Sequence, residues 1–125
     1  MFPDDRRYTK DHEWIRVEGA VARIGITDFA QGELGDIVFV EAPAVGATVA
    51  AGDVLGTIES VKAVSEIYAP IAGTVAAANP LLADKPETVN ADPHGTGWIC
   101  TITPARAGDV DALMDAAAYA ALVGR

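Results

Sequence analysis

Short runs of alternating apolar and polar residues fill most of the first hundred positions, and turn residues separate them. Residues 12–17 alternate, Glu18-Gly19 supplies a turn, and residues 21–26 alternate again, which predicts an antiparallel hairpin. Runs of the same kind predict further strands over 37–41, 54–59, 64–68, 73–76 and 97–102. The chain is therefore predicted to be mainly β.

Helical signals are fewer within this β pattern. Thr27 is a suitable N-cap for a short helix over 28–31, and Gly32 would weaken any continuation. The stretch 80–97 is rich in Pro, Asn and Asp, so at most one helical turn is expected there, near Leu81.

Beyond Pro104 the pattern becomes helical. Asp109 can cap a helix, and the alanine-rich stretch 116–123 continues the helical tendency. One face of this helix would carry apolar residues at helical spacing, namely Val110, Leu113 and Met114. We expect residues 105–125 to form a C-terminal helical segment that packs on the β body.

Length and composition are typical of one small domain. Half of the 125 residues are hydrophobic, many of them Ala or Val, and only 6% are aromatic, so a core of small residues in thin layers is expected. We predict a single domain over 1–125, with two small antiparallel sheets packed as a flattened sandwich or barrel, and short helices. Residues 1–7 are expected to be a flexible N-terminus, and the protein to be a monomer.

Charge and cysteine content restrict the possible partners and the compartment. The formal net charge of −9 argues against nucleic acids and anionic membranes as partners, because both are bound through basic patches. Cys100, the only cysteine, leaves no intrachain disulfide and is predicted to be a buried thiol. The N-terminus lacks the apolar stretch of a signal peptide, and no apolar run approaches the roughly 20 residues of a membrane span. We expect a cytoplasmic protein.

Lys62 lies between the predicted strands 54–59 and 64–68, where a turn is required. The Asn-Gly or Asp-Gly pair typical of tight hairpins is missing, and β-branched Val61 is poorly suited to the positive φ of such turns. Local rules are most often broken where function requires it. The pattern indicates an exposed lysine that is covalently modified, whereas Lys10 and Lys85 are interpreted as ordinary surface charges.

Other reactive chemistry is sparse. His12 and His94 are far apart in sequence and have no nearby Cys or acidic pattern, so we predict no metal site. No nucleophile–base arrangement, phosphate-binding loop or metalloprotease spacing occurs. We therefore expect no catalytic activity.

A series of short motifs along the chain matches one known family. They are His12-Glu13-Trp14, Gly25-Ile26-Thr27-Asp28-Phe29-Ala30-Gln31, Leu34-Gly35-Asp36-Ile37-Val38, Glu59-Ser60-Val61-Lys62-Ala63, Tyr68-Ala69-Pro70, Asn90-Ala91-Asp92-Pro93 and Gly97-Trp98. In this order, and from about Tyr8 to the C-terminal helix, they resemble the H proteins of the glycine cleavage system. Biotin carriers have Met on both sides of the lysine and acyltransferase lipoyl domains typically have Asp-Lys-Ala, whereas this chain has Val61 and Ala63.

The resemblance implies a carrier with a lipoyl-domain, hammerhead-like fold. It implies lipoic acid in amide linkage on Lys62, attached by a lipoylating enzyme. In the family, glycine decarboxylase (P protein) places the aminomethyl group of glycine on the lipoyl arm, the aminomethyltransferase (T protein) passes the one-carbon unit to tetrahydrofolate, and dihydrolipoamide dehydrogenase (L protein) restores the disulfide. The redox chemistry belongs to the lipoyl group.

The resemblance also implies a cleft on the carrier that shelters the loaded arm from water. A cation held in a partly dry cleft requires a carboxylate nearby. Glu13 is the first candidate, with Trp14 expected to point the other way into the core, and Glu33 and Glu66 are further candidates. The alternative for each is a solvated acid on an acidic protein.

Two positions depart from the family pattern, and three other functions are compatible with the sequence. Ala42 replaces the usual leucine, which should weaken local packing without touching the arm, and His94, where tyrosine is frequent, is predicted to be a loop residue. A lipoate relay serving other lipoate-dependent complexes is the main alternative function. The third candidate function is a biotin carrier, which the missing methionines oppose. The last is a purely structural β module.

Overall fold

Two antiparallel sheets, neither closed into a barrel, form the body of the protein; the structure, a computed structural model, describes residues 2–125. The larger sheet has the strand order β1 (Arg7–Tyr8), β2 (Glu13–Glu18), β3 (Val21–Ile26), β9 (Cys100–Pro104), β8 (Gly73–Ala78) and β5 (Thr48–Val49). The smaller sheet has the order β4 (Ile37–Glu41), β6 (Val54–Ser60) and β7 (Val64–Tyr68). The predicted mainly β fold of two small sheets is confirmed.

The helices of the described chain are short. They are α1 (Asp28–Leu34), α2 (Leu81–Asp84), α3 (Thr88–Ala91) and α4 (Ala116–Val123), with a 3₁₀ helix over Ala107–Ala112. Thr27 caps α1, as predicted, because its hydroxyl accepts from the Ala30 N–H. α1 continues past Gly32 and ends at Gly35, whose φ of +79° is left-handed. The turn near Leu81 is present as α2, but α3 was not predicted.

The main core is aliphatic. Nine buried isoleucines from both sheets and their connections dominate it, and no aromatic side chain takes part. Cys100 lies in this core, as predicted, and burial raises the pKa of its thiol to about 12. A second cluster at one end of the larger sheet holds the buried aromatics Phe2, Tyr8, Trp14 and Tyr119.

Residues 2–7, which were expected to be flexible, make buried contacts with the body, and Met1 lies outside the described residues. Phe2 is buried, with its ring 4.8 Å from that of Tyr119. Arg6 is buried over the Trp14 ring and donates to the His94 carbonyl at 2.7 Å. Aromatic packing holds this segment in place. The sequence did not indicate this packing, because residues 1–7 contain no apolar run.

The predicted C-terminal helix is present as α4, but the prediction that it begins at Asp109 is wrong. Asp109 lies inside the 3₁₀ helix, and the chain is extended at Leu113. Met114 then pairs with Tyr8 through two backbone hydrogen bonds, of 2.8 and 3.1 Å. Asp115 is the cap of α4, because its carboxylate accepts from the Ala118 N–H at 2.8 Å. Pairing with β1 therefore divides the expected helix in two.

Within residues 2–125, no helix is both long and apolar enough to cross a bilayer. The same residues contain no group of three or more His, Cys, Asp or Glu side chains placed to hold a metal ion.

Candidate functional site

Lys62 is at the tip of the lysine hairpin, which consists of β6, the tip residues 61–63 and β7. The Ser60 N–H donates to the Ala63 carbonyl at 2.8 Å, and the Ser60 hydroxyl accepts from the N–H groups of Lys62 (3.3 Å) and Ala63 (3.1 Å). No tip residue has positive φ. Ser60 thus organises the turn with its side chain, which explains how Val61 is accommodated without Asn-Gly.

The tip is fixed to the body by the segment that follows α1. The Val61 N–H donates to the Asp36 carbonyl at 3.0 Å. Gly35, next to Asp36, lies beneath the lysine stem: a Cβ built on Gly35 would be 3.5 Å from Lys62 Cε. Lys62 is exposed and forms no ion pair within the described chain. The amine is therefore accessible while its attachment point is held.

Asn90, on α3, holds the segment 35–37 in place. Its amide nitrogen donates to the Gly35 carbonyl at 2.8 Å and to Gln31 Oε1 at 2.9 Å, and its oxygen accepts from the Ile37 N–H at 2.9 Å. One side chain thus joins the end of α1 to the start of β4. This role is not evident from the sequence, because residue 90 lies more than fifty positions from its partners.

A cleft of about 340 Å³, here called the arm cleft, lies between α1, the start of β2 and the lysine hairpin. The structure places all three predicted carboxylates, Glu13, Glu33 and Glu66, on its lining, with apolar walls that include Phe29 and Ile67. Asp11 also lines it, and sequence analysis did not single it out. The four carboxylates therefore line the same cleft.

Glu13 is the buried member of this set. Its side chain is 2% exposed, and its two oxygens accept from the Thr9 hydroxyl (2.6 Å) and the Tyr68 N–H (3.0 Å). Burial raises the pKa of Glu13, and the two hydrogen bonds oppose that rise. Trp14 is buried as well, and its indole N–H donates to the Pro93 carbonyl at 2.9 Å. Glu33 and Glu66 are exposed at the cleft surface.

His12 is a further lining residue whose arrangement the sequence did not reveal. It has a φ of +70°, the one non-glycine positive φ among the described residues. Its Nδ1 lies 2.8 Å from the Tyr119 hydroxyl, which is also 2.8 Å from Thr27 Oγ1. Tyr119 of α4 thereby connects one wall of the arm cleft to the cap of α1.

Comparison with known proteins identifies the family. The family model "Glycine cleavage H-protein" matches residues 6–125. The chain belongs to this family. Glycine cleavage system H proteins from Bacteroides fragilis and Geobacillus thermodenitrificans are each 54% identical to it, over 98% and 97% of this chain and 97% and 95% of theirs. The crystal structure of an H protein from Mycobacterium marinum superimposes with a TM-score of 0.91 at 42% identity, covering 99% of this chain and all of that one.

Proposed function

We propose that this H-protein family member is the lipoylated shuttle of the glycine cleavage system, with lipoic acid in amide linkage on Lys62 Nζ. Family membership supports the carrier role. The observation that carries the assignment to Lys62 is its exposed position on a tip fixed by Ser60 and Asp36, beside a cleft lined by carboxylates.

The residues present fit such a group. When bound, the lipoyl group supplies a dithiolane that takes up the aminomethyl group of glycine and is later reoxidised. Lys62 and the lipoyl chain together would reach on the order of 14 Å from the backbone. A rigid hairpin fixes the base of this arm, and tethering presents its end to each partner at high effective concentration.

The partners we propose are glycine decarboxylase, the aminomethyltransferase, dihydrolipoamide dehydrogenase and the lipoylating enzyme. The protein itself acts as a monomeric carrier without catalysis.

The arm cleft has the chemistry to shelter a cation at the end of the arm. Its lining is largely apolar, and the carboxylate of Glu13 is part of that lining with no basic partner within the described residues. Each Glu13 oxygen accepts one bond and has a further lone pair available. Glu33 and Glu66 add negative charge at the surface of the same cleft. We therefore propose Glu13 as the main cation-binding group, supported by the other two.

Glycine–carbon dioxide exchange with purified glycine decarboxylase tests the proposed function. The fully lipoylated protein should support exchange, and Lys62→Arg should not, because arginine keeps the charge without the acylable amine. No exchange despite full lipoylation would favour a lipoate relay instead, and a biotinyl addition would favour a biotin carrier.

Hydrolysis of the loaded protein tests the cleft separately. Glu13→Ala should lose the aminomethyl group faster than wild type. An unchanged rate would remove Glu13 from this role.

A further inference from the structure

Large apolar side chains are exposed around the tip of the lysine hairpin. Nine such side chains are exposed in the described chain, and four of them lie beside Lys62. We call these four the tip face: Val38, Phe39, Val61 and Val64. Phe39 is 54% exposed, Val61 70% and Val64 69%. Isolated exposed valines need no explanation, but a cluster around one functional residue does.

Strand register places Phe39 and Val64 on one surface. Phe39 of β4 is opposite Glu59 of β6, and Glu59 is opposite Val64 of β7, so the three form a row across the outer face of the smaller sheet. A β-bulge between Ile37 and Phe39 breaks the alternation of β4, so that Val38 and Phe39 are both exposed. A regular strand would have turned one of them inward. Bulges near functional sites redirect side chains in this way.

All charged residues on this face except Lys62 are acidic. The next cross-strand row is Glu41, Thr57 and Glu66, parallel to the row that contains Glu59. Asp36 is exposed at the edge, and residues 36–68 contain no Arg or His and no Lys other than Lys62. The surface is therefore an apolar patch with an acidic rim and one lysine at its end. A partner that fits it has an apolar centre surrounded by basic groups.

We propose that the tip face is the docking surface for the enzyme that attaches the lipoyl group to Lys62. The proposal rests on lipoylation of Lys62, as proposed above. Reach selects this partner: the lysine side chain extends only about 6 Å from its Cα, so the enzyme that acylates Nζ must contact the residues around it. Enzymes that act on the end of the completed arm approach from on the order of 14 Å away and have no such need.

The transfer step defines what the partner must bring. Lys62 Nζ, as the free amine, attacks the carbonyl carbon of an activated lipoyl donor, either an acyl phosphoanhydride or a thioester. The N–C bond forms, the bond from carbon to the phosphate oxygen or thiol sulfur breaks, and one proton leaves the nitrogen. Docking on the tip face holds Nζ next to the carbonyl carbon of the donor. The reaction between the two then becomes effectively intramolecular.

Threonine variants test this surface, because threonine keeps the β propensity of a strand position while adding a polar group. A Val→Thr change also preserves shape, and Phe39→Thr removes the exposed ring. We expect Phe39→Thr and Val64→Thr to lower kcat/KM for lipoylation at least tenfold, followed by intact mass under limiting lipoylating enzyme. Val17→Thr and Val45→Thr, comparably exposed but elsewhere, should stay within twofold of wild type. Thermal unfolding of each variant verifies that the fold is intact. Added salt should slow lipoylation of the wild type, because the rim is acidic.

A second measurement distinguishes this partner from the others. Each variant is brought to full lipoylation with excess enzyme and then assayed for reoxidation by dihydrolipoamide dehydrogenase, where rates within twofold of wild type are expected. Equal lipoylation of Phe39→Thr, Val64→Thr and wild type would overturn the proposal while leaving the carrier function intact. An equal loss in both assays would also overturn it, in favour of a surface shared by all partners. A wild type that is never lipoylated would overturn the proposed function as well.

Discussion

The side chain of Lys62 lies against Gly35: a Cβ at position 35 would be 3.5 Å from Lys62 Cε. Gly35 is also the residue where α1 ends, and Ala30, Glu33 and Leu34 of that helix line the arm cleft. The stem of the lysine therefore starts beside the helix that forms a wall of the cleft. This contact places the Lys62 side chain beside a helix that lines the arm cleft.

Gly35→Ala tests the backbone geometry at this position. With φ at +79° and ψ at −155°, an alanine there is strained, and we expect the free energy of unfolding to fall by about 1–3 kcal/mol in urea titrations. Gly32→Ala is the matched control within α1. It has no positive φ and open space around it, so it should stabilise the protein by about 0.5–1 kcal/mol. Equal effects of the two changes would contradict the backbone geometry.

Asn90→Ala should loosen the base of the lysine hairpin. It removes three hydrogen bonds, and about 2–3 kcal/mol of stability should be lost. Because Asn90 positions the segment that contains Asp36, exchange of the Val61 amide proton should become faster.

Asn79→Ala is the control for that change, since Asn79 also makes three hydrogen bonds but to the segment 81–98. It should destabilise the protein by a similar amount while leaving the local exchange of the Val61 amide as in wild type. Acceleration of that amide in both variants alike would show that α3 has no special role at the tip.

Tyr119→Phe should weaken the arm cleft from a distance. The change keeps the buried ring but removes the hydroxyl near His12 Nδ1 and Thr27 Oγ1, at an expected loss of about 1–2 kcal/mol. The loaded protein should also lose its aminomethyl group faster. Tyr8→Phe removes one hydroxyl from the same aromatic cluster, where it donates to the Pro3 carbonyl, and should leave hydrolysis unchanged.

How much of this site follows from the sequence depends on the range of the contacts. Strand alternation is local, so both hairpins and the exposure of Lys62 were predictable. The resemblance to H proteins suggested three cleft carboxylates, and the fold places them on one lining. His12 and Tyr119 are 107 residues apart, and nothing local to either residue signals their contact.

The C-terminal segment illustrates the same limit. The sequence predicted Asp109 as the cap, and Asp115, which also precedes an apolar residue, was not singled out. The pairing of Met114 with Tyr8 decides in favour of Asp115, because it interrupts the helix just before that residue. Such a choice depends on a partner strand about a hundred residues away.

Ionisation of Glu13 should make the protein less stable as pH rises. Burial raises the pKa of Glu13 in the folded protein above its ordinary value of 4.5, so the folded state binds this proton more tightly than the unfolded state. The stabilising contribution is full below pH 4.5 and is lost as pH rises through the folded-state pKa. The unfolding free energy of wild type minus that of Glu13→Gln should therefore decrease as pH rises above about 4.5. A difference that grows with pH would contradict the raised pKa of Glu13.

Mass spectrometry of the protein, purified from cells that contain a lipoylating enzyme, tests the central claim most directly. The intact mass should increase by one lipoyl group, and peptide mapping should place that group on Lys62. Lys62→Arg should show no addition. An unmodified wild-type protein, a biotinyl addition, or a lipoyl group on Lys10 or Lys85 would contradict the account.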